Sequence, residues 1–384
     1  MAAVAAALVG RPSHGTRSVQ AWAVVTGLRS PAMFTVAPDG RLFYSERTTG
    51  RIGVFNPSGR IDATYFQVSD LCDHADQGLY GLALHPSFPQ TASLYAYATR
   101  RQSDGSCADE ILELDGSATR GSTMRVLVSD PYAGPHIGGR MLFGPDGDLY
   151  VSTGDGAEGS ASLEESKAKR AAVQDVRSLK GKILRMTAAG AAPGDNPFGN
   201  LVFAFGFRNV FGFDFEPDRG HLWAVDNGPD PADYTTAPAG IGPAGGCNDE
   251  LDLVLRGSNY GWGPSGSCAT PPQPPRNTND DGRDPVLSAL NIEAGSGVTG
   301  ARFCLRCGLG SRFEGALFYV RYSYVDGRGE IRAARLDATK TRVVSDTLVY
   351  RSPGAAPLSI ERGPDGVLYF SDLRGIYRLV RGQA

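Results

Sequence analysis

No apolar run in the chain is long enough to cross a bilayer, which argues against a membrane span. Nor is there a basic excess: 38 Lys and Arg stand against 41 Asp and Glu, a net charge of -3, so nothing electrostatic points to nucleic acid. The apolar run Met1 to Gly10 has secretion-signal length but lacks a basic residue ahead of it and a clean cleavage site. A clipped export signal and a plain tail both fit. What is abundant is glycine and proline, 50 and 25 in 384 residues, in a chain 41% hydrophobic and 21% charged, which suits a turn-rich all-β protein rather than disorder.

One phrase recurs. Pro38-Asp39-Gly40-Arg41-Leu42-Phe43-Tyr44, Pro145-Asp146-Gly147-Asp148-Leu149-Tyr150 and Pro364-Asp365-Gly366-Val367-Leu368-Tyr369 are nearly the same, and worn copies begin at Pro86, Pro217 and Phe313. Each follows a short apolar run and reads as an Asp-Gly hairpin turn between two strands. Each is followed by a further strand pair, such as Arg51 to Phe55, Lys182 to Met186, Glu330 to Leu336 or Gly375 to Val380. Four strands per unit and six units predict an all-β fold, a six-bladed β-propeller over residues 27–384 behind a tail at 1–26. A long β-sandwich is the alternative, but it has no reason to repeat a phrase. The inserts 154–176, with a short helix expected at 163–176, 229–248 and 265–285 are long enough to carry function on one rim.

The six cysteines fall in local pairs, Cys72/Cys107, Cys247/Cys268 and Cys304/Cys307, a pattern that suits an oxidising, extracellular or periplasmic compartment. The rival reading of Cys304/Cys307 as half a zinc site wants a second Cys/His pair nearby, and none is there. Asn277 to Gly282 alternates oxygen ligands like a calcium loop but has no acidic residue at the twelfth position, which favours a solvated turn.

Chemistry concentrates in a few phrases. His136 stands among Gly134, Gly138 and Gly139 at a loop-strand junction, outside any apolar pattern, so its ring is expected to face a ligand; a structural histidine is the other reading. Glycine there lets a flat ligand or another backbone come close. Lys180-Gly181-Lys182 opens a strand with two cations, a charged blade edge being the simpler reading. Gly206-Phe207-Arg208-Asn209-Val210-Phe211-Gly212 puts a guanidinium and a carboxamide inside an aromatic stretch, where the charge needs an anionic or stacked partner. Asp226-Asn227-Gly228-Pro229 and then Asn248-Asp249-Glu250-Leu251-Asp252-Leu253-Val254, ending in Gly257-Ser258-Asn259-Tyr260-Gly261-Trp262, combine carbonyls with carboxylates, the hard donors calcium takes.

In this order, and with Gly78 to Pro86, these phrases resemble the soluble quinoprotein glucose and aldose sugar dehydrogenases, the glucose/sorbosone dehydrogenase family, from about Gly27 to Val380. The resemblance implies a six-bladed propeller that binds pyrroloquinoline quinone (PQQ) and Ca²⁺ on its axis, with a small-molecule sugar and an electron acceptor as partners. It implies that His136 is the base for the sugar C1 hydroxyl, that Arg208 and Asn209 contact the quinone, and that Arg208 adds electrostatic support to catalysis. Gly228 and Pro229 match carbonyl ligands of the cofactor calcium; Asp249, Glu250 and the Tyr260 carbonyl match a structural calcium site. The acidic or amide residue ahead of Gly78 falls on Asp76 or Gln77. A base that titrates near neutrality suits hydride loss from C1, and a fixed cation suits the charge that develops on the acceptor.

The chain departs from the family where cations hold the cofactor. A lysine is expected near Gly327, where only Arg328 is adjacent, and two arginines around Ala356 and Leu358, where there are none. Each lost partner of a bound carboxylate costs about 1.5 to 3 kcal/mol. A cofactor-free propeller that binds carbohydrate or protein, and a calcium-dependent hydrolase of lactonase type, therefore stand beside the sugar oxidoreductase. For the cysteines the expected outcome is definite: peptide mapping of the unreduced protein should recover the three local pairs, and free thiols or cross-pairing would refute the framework.

Overall fold

The Pro-Asp-Gly phrase explains its own geometry. In the computed structural model, which describes residues 18–58, 61–74, 76–132, 134–156, 163–228, 248–263, 286–293, 295–322 and 329–382, each of the three full copies makes the same closed loop. Gly144 N donates to Asp148 O and Gly147 N to Gly144 O; Ala37/Arg41/Gly40 and Gly363/Val367/Gly366 repeat the pattern. The loop holds three residues, not two. Proline presets the first φ, glycine takes the left-handed position (φ 84°, 83° and 88° at Gly40, Gly147 and Gly366), and the aspartate Oδ1 accepts the backbone N–H two residues on. The leucine that follows, Leu42, Leu149 or Leu368, is fully buried and contributes about 1.5 to 3 kcal/mol.

Six such units make six four-stranded antiparallel sheets. Blade 1 is β2 (Pro31–Val36), β3 (Leu42–Glu46), β4 (Arg51–Asn56) and β5 (Ile61–Gln67); blade 2 is β6 (Leu79–Leu84), β7 (Leu94–Arg101), β8 (Cys107–Gly116) and β9 (Gly121–Pro131). Blade 3 is β10 (Met141–Phe143), β11 (Leu149–Ser152), β12 (Lys182–Met186) and β13 (Val202–Phe205), with helix α1 (Leu163–Gln174) between its second and third strands. Blade 4 is β14 (Val210–Phe215), β15 (Leu222–Asp226), β16 (Asp249–Val254) and β17 (Leu290–Ile292); blade 5 is β18 (Val298–Phe303), β19 (Leu317–Arg321), β20 (Glu330–Leu336) and β21 (Val343–Arg351). Blade 6 is β22 (Ser359–Arg362), β23 (Leu368–Ser371), β24 (Gly375–Arg381) and, outermost, β1 (Val19–Thr26). The propeller thus takes in 19–26, which the sequence pattern leaves in a tail. Val19 to Thr26 pairs with Arg381 back to Gly375 and closes the ring.

The first strand of each blade lies innermost, against its neighbours around the axis. The core is six apolar layers, each between two blades; Phe43, Ile52 and Val54 of blade 1, for example, meet Leu82, Leu94 and Leu112 of blade 2. Two disulfides join the expected partners, Cys72–Cys107 and Cys304–Cys307, so the latter pair is no zinc half-site; Cys247 and Cys268 lie outside the described residues, as do Asn277 to Gly282. Across the axis, Arg140 ahead of β10 pairs with Glu361 of the opposite blade 6, and Arg302 bridges Glu361 (3.4 Å) to Asp214 (2.7 Å).

The phrase has one more letter than its turn suggests. Seven residues after each proline stands a fully buried serine, Ser45, Ser152 or Ser371, whose hydroxyl takes a backbone N–H from its own blade and meets a carbonyl of the next. Ser45 Oγ donates to Tyr80 O (2.6 Å), Ser152 Oγ to Val210 O (2.8 Å), and Ser371 Oγ reaches Ala32 O (3.5 Å). Ser45→Ala, remote from the candidate site, should destabilise the protein by about 1 to 3 kcal/mol in urea unfolding because two buried backbone groups lose their partner. A loss near zero would show that the hydroxyl is not a structural tie.

Candidate active site

Backbone packing brings the site together. His136 adopts a left-handed φ of 66°, a costly conformation for a residue with a Cβ. Its carbonyl lies so close to Gly154 that a Cβ there would sit 1.8 Å away, and Gly154 in turn bridges to Asn209 of the next blade. What the glycines admit at this point is another backbone. Asn209 Oδ1 accepts Gly138 N (3.1 Å), so the carboxamide ties the His136 loop to blade 4.

The imidazole is buried, 4% exposed, which corrects the expectation of an open ring. Its Nδ1 lies 2.9 Å from Asp155 Oδ1, and Asp155 Oδ2 accepts the Trp262 indole N–H at 2.6 Å. When Nδ1 donates to this carboxylate, Nε2 is the basic nitrogen. Trp262 also lies under two guanidinium groups, Arg170 of α1 at 4.8 Å and Arg208 at 5.9 Å from its ring centre. Arg208 Nη1 reaches Asn227 O (3.3 Å), while the Arg208 and Asn209 amides both donate to Asp226 (2.9 and 2.6 Å).

Helix α1 is fastened over this group. Gln174 exchanges hydrogen bonds with Asn259 and donates to Trp262 O (2.5 Å). Lys182 turns inward, fully buried, and its Nζ donates to the helix C-terminal carbonyls of Ala172 (3.1 Å) and Val173 (2.7 Å). Burial pulls its pKa down to about 7. Lys180 instead pairs with Asp130 at 2.7 Å, so the two cations of one motif do different work.

The other predicted residues are more scattered. Gln77 is buried and uses its Oε1 on His74 N (3.0 Å), while Asp76 is half-buried beside it. Gly228 N and Gly297 N both donate to Asp249 (2.9 and 2.7 Å), so that carboxylate fastens two loops of the same rim. Pro229 lies outside the described residues. The Tyr260 hydroxyl donates to Leu253 O (2.7 Å), and its ring stacks on Phe207 at 4.4 Å. Asp226, Glu250 and Asp252 share one face of β15 and β16, since Asp226 is cross-strand partner to Glu250 and Ala224 to Asp252. Neither carboxylate oxygen of buried Asp252 has a hydrogen-bond partner among the described residues.

The sequence pattern gives no role to Asp155, Trp262 or Arg170, and takes in Asp252 only as one carboxylate of the 248–254 phrase. For Asp155 a signal exists, an acidic residue between Gly154 and Gly156 in the insert facing His136. Arg170 carries none, and only the docking of α1 and the pairing of β15 with β16 give Arg170 and Asp252 their neighbours.

At this end of the six-bladed propeller a histidine–carboxylate–indole chain thus stands with two guanidiniums over its indole. The chain belongs to the Glucose / Sorbosone dehydrogenase family, whose profile matches residues 28–372. Quinoprotein glucose dehydrogenase B of Acinetobacter calcoaceticus is 27% identical over 261 residues, 62% of this chain and 51% of that protein, so about half of that relative's length is matched. The crystal structure of an oxidoreductase from Thermus thermophilus, assigned as a glucose dehydrogenase, superposes with a TM-score of 0.74 at 29% identity, covering 94% of this chain and 100% of that one. The PQQ-bound form of aldose sugar dehydrogenase from Streptomyces coelicolor shares the fold, with a TM-score of 0.71 at 23% identity over 94% of this chain and 98% of its own.

The acidic face makes a pH prediction. Burial pushes Asp226 up to about 6; burial, then neighbouring carboxylates, holds Glu250 and Asp252 well above the carboxylate range. Raised acids bind more protons in the native state, so their contribution is complete only below the unfolded carboxylate pKa of about 3.9 and is lost as pH rises from there through the folded values. With EDTA present, Asp252→Asn should gain on the parent between pH 4.5 and pH 7.5 by on the order of 1 to 3 kcal/mol in urea unfolding. Equal stability at both pH values would show that Asp252 carries no burial penalty.

Proposed function

We propose that the protein oxidises the anomeric C1 hydroxyl of an aldose to the lactone, with PQQ and Ca²⁺ as cofactors and an external electron acceptor. The observation that carries this reading is the His136–Asp155–Trp262 chain lying against the Arg208–Asn209 segment. His136 takes the hydroxyl proton at Nε2, while Asp155 holds the tautomer and stabilises the imidazolium. Arg208 and Arg170, spread over one indole, favour a planar anionic group beside Trp262. PQQ, when bound, supplies the hydride acceptor. Arg208, Asn209, the Gly228 and Pro229 carbonyls and the Asp76–Gln77 segment are the residues of this chain that would hold it and its calcium. For a second, structural calcium, Glu250 and Asp252, the latter without a partner among the described residues, suit a hard dication better than Asp249, whose oxygens serve Gly228 and Gly297. The disulfides suit export to an oxidising compartment, extracellular or periplasmic.

One observation favours a second reading. Ala356 and Leu358 put no charge where the family's cofactor-binding arginines are expected, and a propeller without cofactor would then bind carbohydrate or protein through the same mouth.

The test is titration of the purified protein with PQQ and CaCl2, followed by cofactor absorbance and by dye reduction with aldoses. The oxidoreductase reading expects His136→Ala and Asp155→Asn each to lower turnover roughly 10²- to 10⁴-fold. Arg208→Ala should weaken quinone binding and slow reduction together, with only partial rescue by Arg208→Lys, since a point charge lacks the planar fork. Because His136 is buried, thermal unfolding must accompany each variant. Ca²⁺ should raise the unfolding temperature of the parent by more than that of Asp252→Asn. Absence of quinone binding and of turnover with every aldose tried would replace this reading by the binding module.

A further inference from the structure

The face of the propeller opposite His136 holds a cavity of about 390 Å³ beside the axis, where the Pro-Asp-Gly turns of blades 6 and 1 meet the loop that follows the first strand of blade 5. Val36, Pro38 and Leu305 line it together with three arginines, Arg302, Arg306 and Arg362. Their charges are not balanced alike. Arg302 pairs with Asp214 and, together with Arg140, with Glu361, two cations against two anions. Arg362 donates to a neutral carbonyl, Phe303 O, at 2.8 Å, and among the described residues no carboxylate pairs with it or with the exposed side chain of Arg306. Burial and the neighbouring guanidiniums of Arg302 and Arg306 pull the Arg362 pKa down, and the carboxylates of Asp214 and Glu361 offset this only in part. A half-buried guanidinium beside two others is a standing cost unless an anion relieves it.

The wall is also preformed. Arg306 sits in the four-residue ring closed by Cys304–Cys307, with a left-handed φ of 54° and its N–H on Glu314 (2.7 Å). Closing so short a loop removes little chain entropy, so the bridge acts mainly on shape. The carbonyls of Leu305 and Arg306 press on Gly366, where a Cβ would lie 2.6 Å from either, so blade 6's own turn seats the ring.

We propose that this cavity binds a small organic anion, its carboxylate or phosphate groups held by Arg362 and Arg306 and its body lying on Val36, Pro38 and Leu305. The volume lies within the range of small-molecule sites, and guanidinium forks match both oxyanion types. The site is separate from the sugar reading and does not depend on it.

Calorimetric titration of the full chain, with inorganic phosphate and with citrate as separate probes at low and high NaCl, tests the assignment and distinguishes the two chemistries. At least one probe should bind saturably below about 1 mM and weaken with salt. Arg306→Ala, a surface change that leaves folding intact, should weaken binding at least ~10-fold, and Arg362→Gln should abolish it. Absence of saturable binding by both probes, or binding that Arg306→Ala leaves unchanged, overturns the proposal, whether or not Arg362→Gln folds.

Discussion

A hydroxyl group smaller than any other polar side chain fixes how neighbouring blades meet. The serine that ends each full repeat satisfies its own innermost strand and then a carbonyl of the next blade. At the junction of blades 3 and 4 this has a direct chemical result. With Val210 O held by Ser152, the preceding residue, Asn209, is laid against Gly154 and Gly138, and residues some seventy positions apart in sequence become one site. The site is therefore positioned by a backbone bridge and by short, buried side chains bonded to main chain, the kind of support that keeps reacting groups within a fraction of an ångström.

The electrostatics are arranged in layers along the axis. Near one mouth the Asp155 carboxylate draws together an imidazole and an indole, and Asp226 collects the amides that carry Arg208 and Asn209. Midway, Arg140, Glu361, Arg302 and Asp214 join four blades in a buried chain of alternating sign. Removing any one member would leave its partner charged and dry, which is why such networks are costly to break even where they add little net stability. Toward the other mouth the alternation fails, and positive charge accumulates.

Blade number, turn positions, α1 and the described disulfides were legible in the sequence because each rests on local chemistry. Proline and glycine at fixed offsets make the turn, and Leu163 to Gln174 is a helix where a helix was expected. The role of Ser45, Ser152 and Ser371 was hidden, because a serine after two aromatic or β-branched residues looks like any strand end until the next blade is in place. His136 misled for a related reason. Its glycine-rich setting suggested open space, and the space is filled by Gly154, a residue of the neighbouring strand end. Lys182 looked like half of a charged edge, yet it caps a helix that only the tertiary structure brings near. Strand β1 escaped notice because it carries no copy of the phrase, being the outer strand of a blade whose other three strands lie more than three hundred residues downstream.

That last arrangement bears on how the molecule is made. A ribosome delivers β1 more than three hundred residues before β24, so the strand that seals blade 6 must wait, unpaired, while five blades are synthesised. Until β24 arrives, the waiting segment, with its exposed Trp22, is a free edge able to join a wrong sheet or another chain. Ring closure is in this sense a decision deferred until β24 emerges, and a chain held extended until then meets fewer wrong partners than one that folds as it emerges.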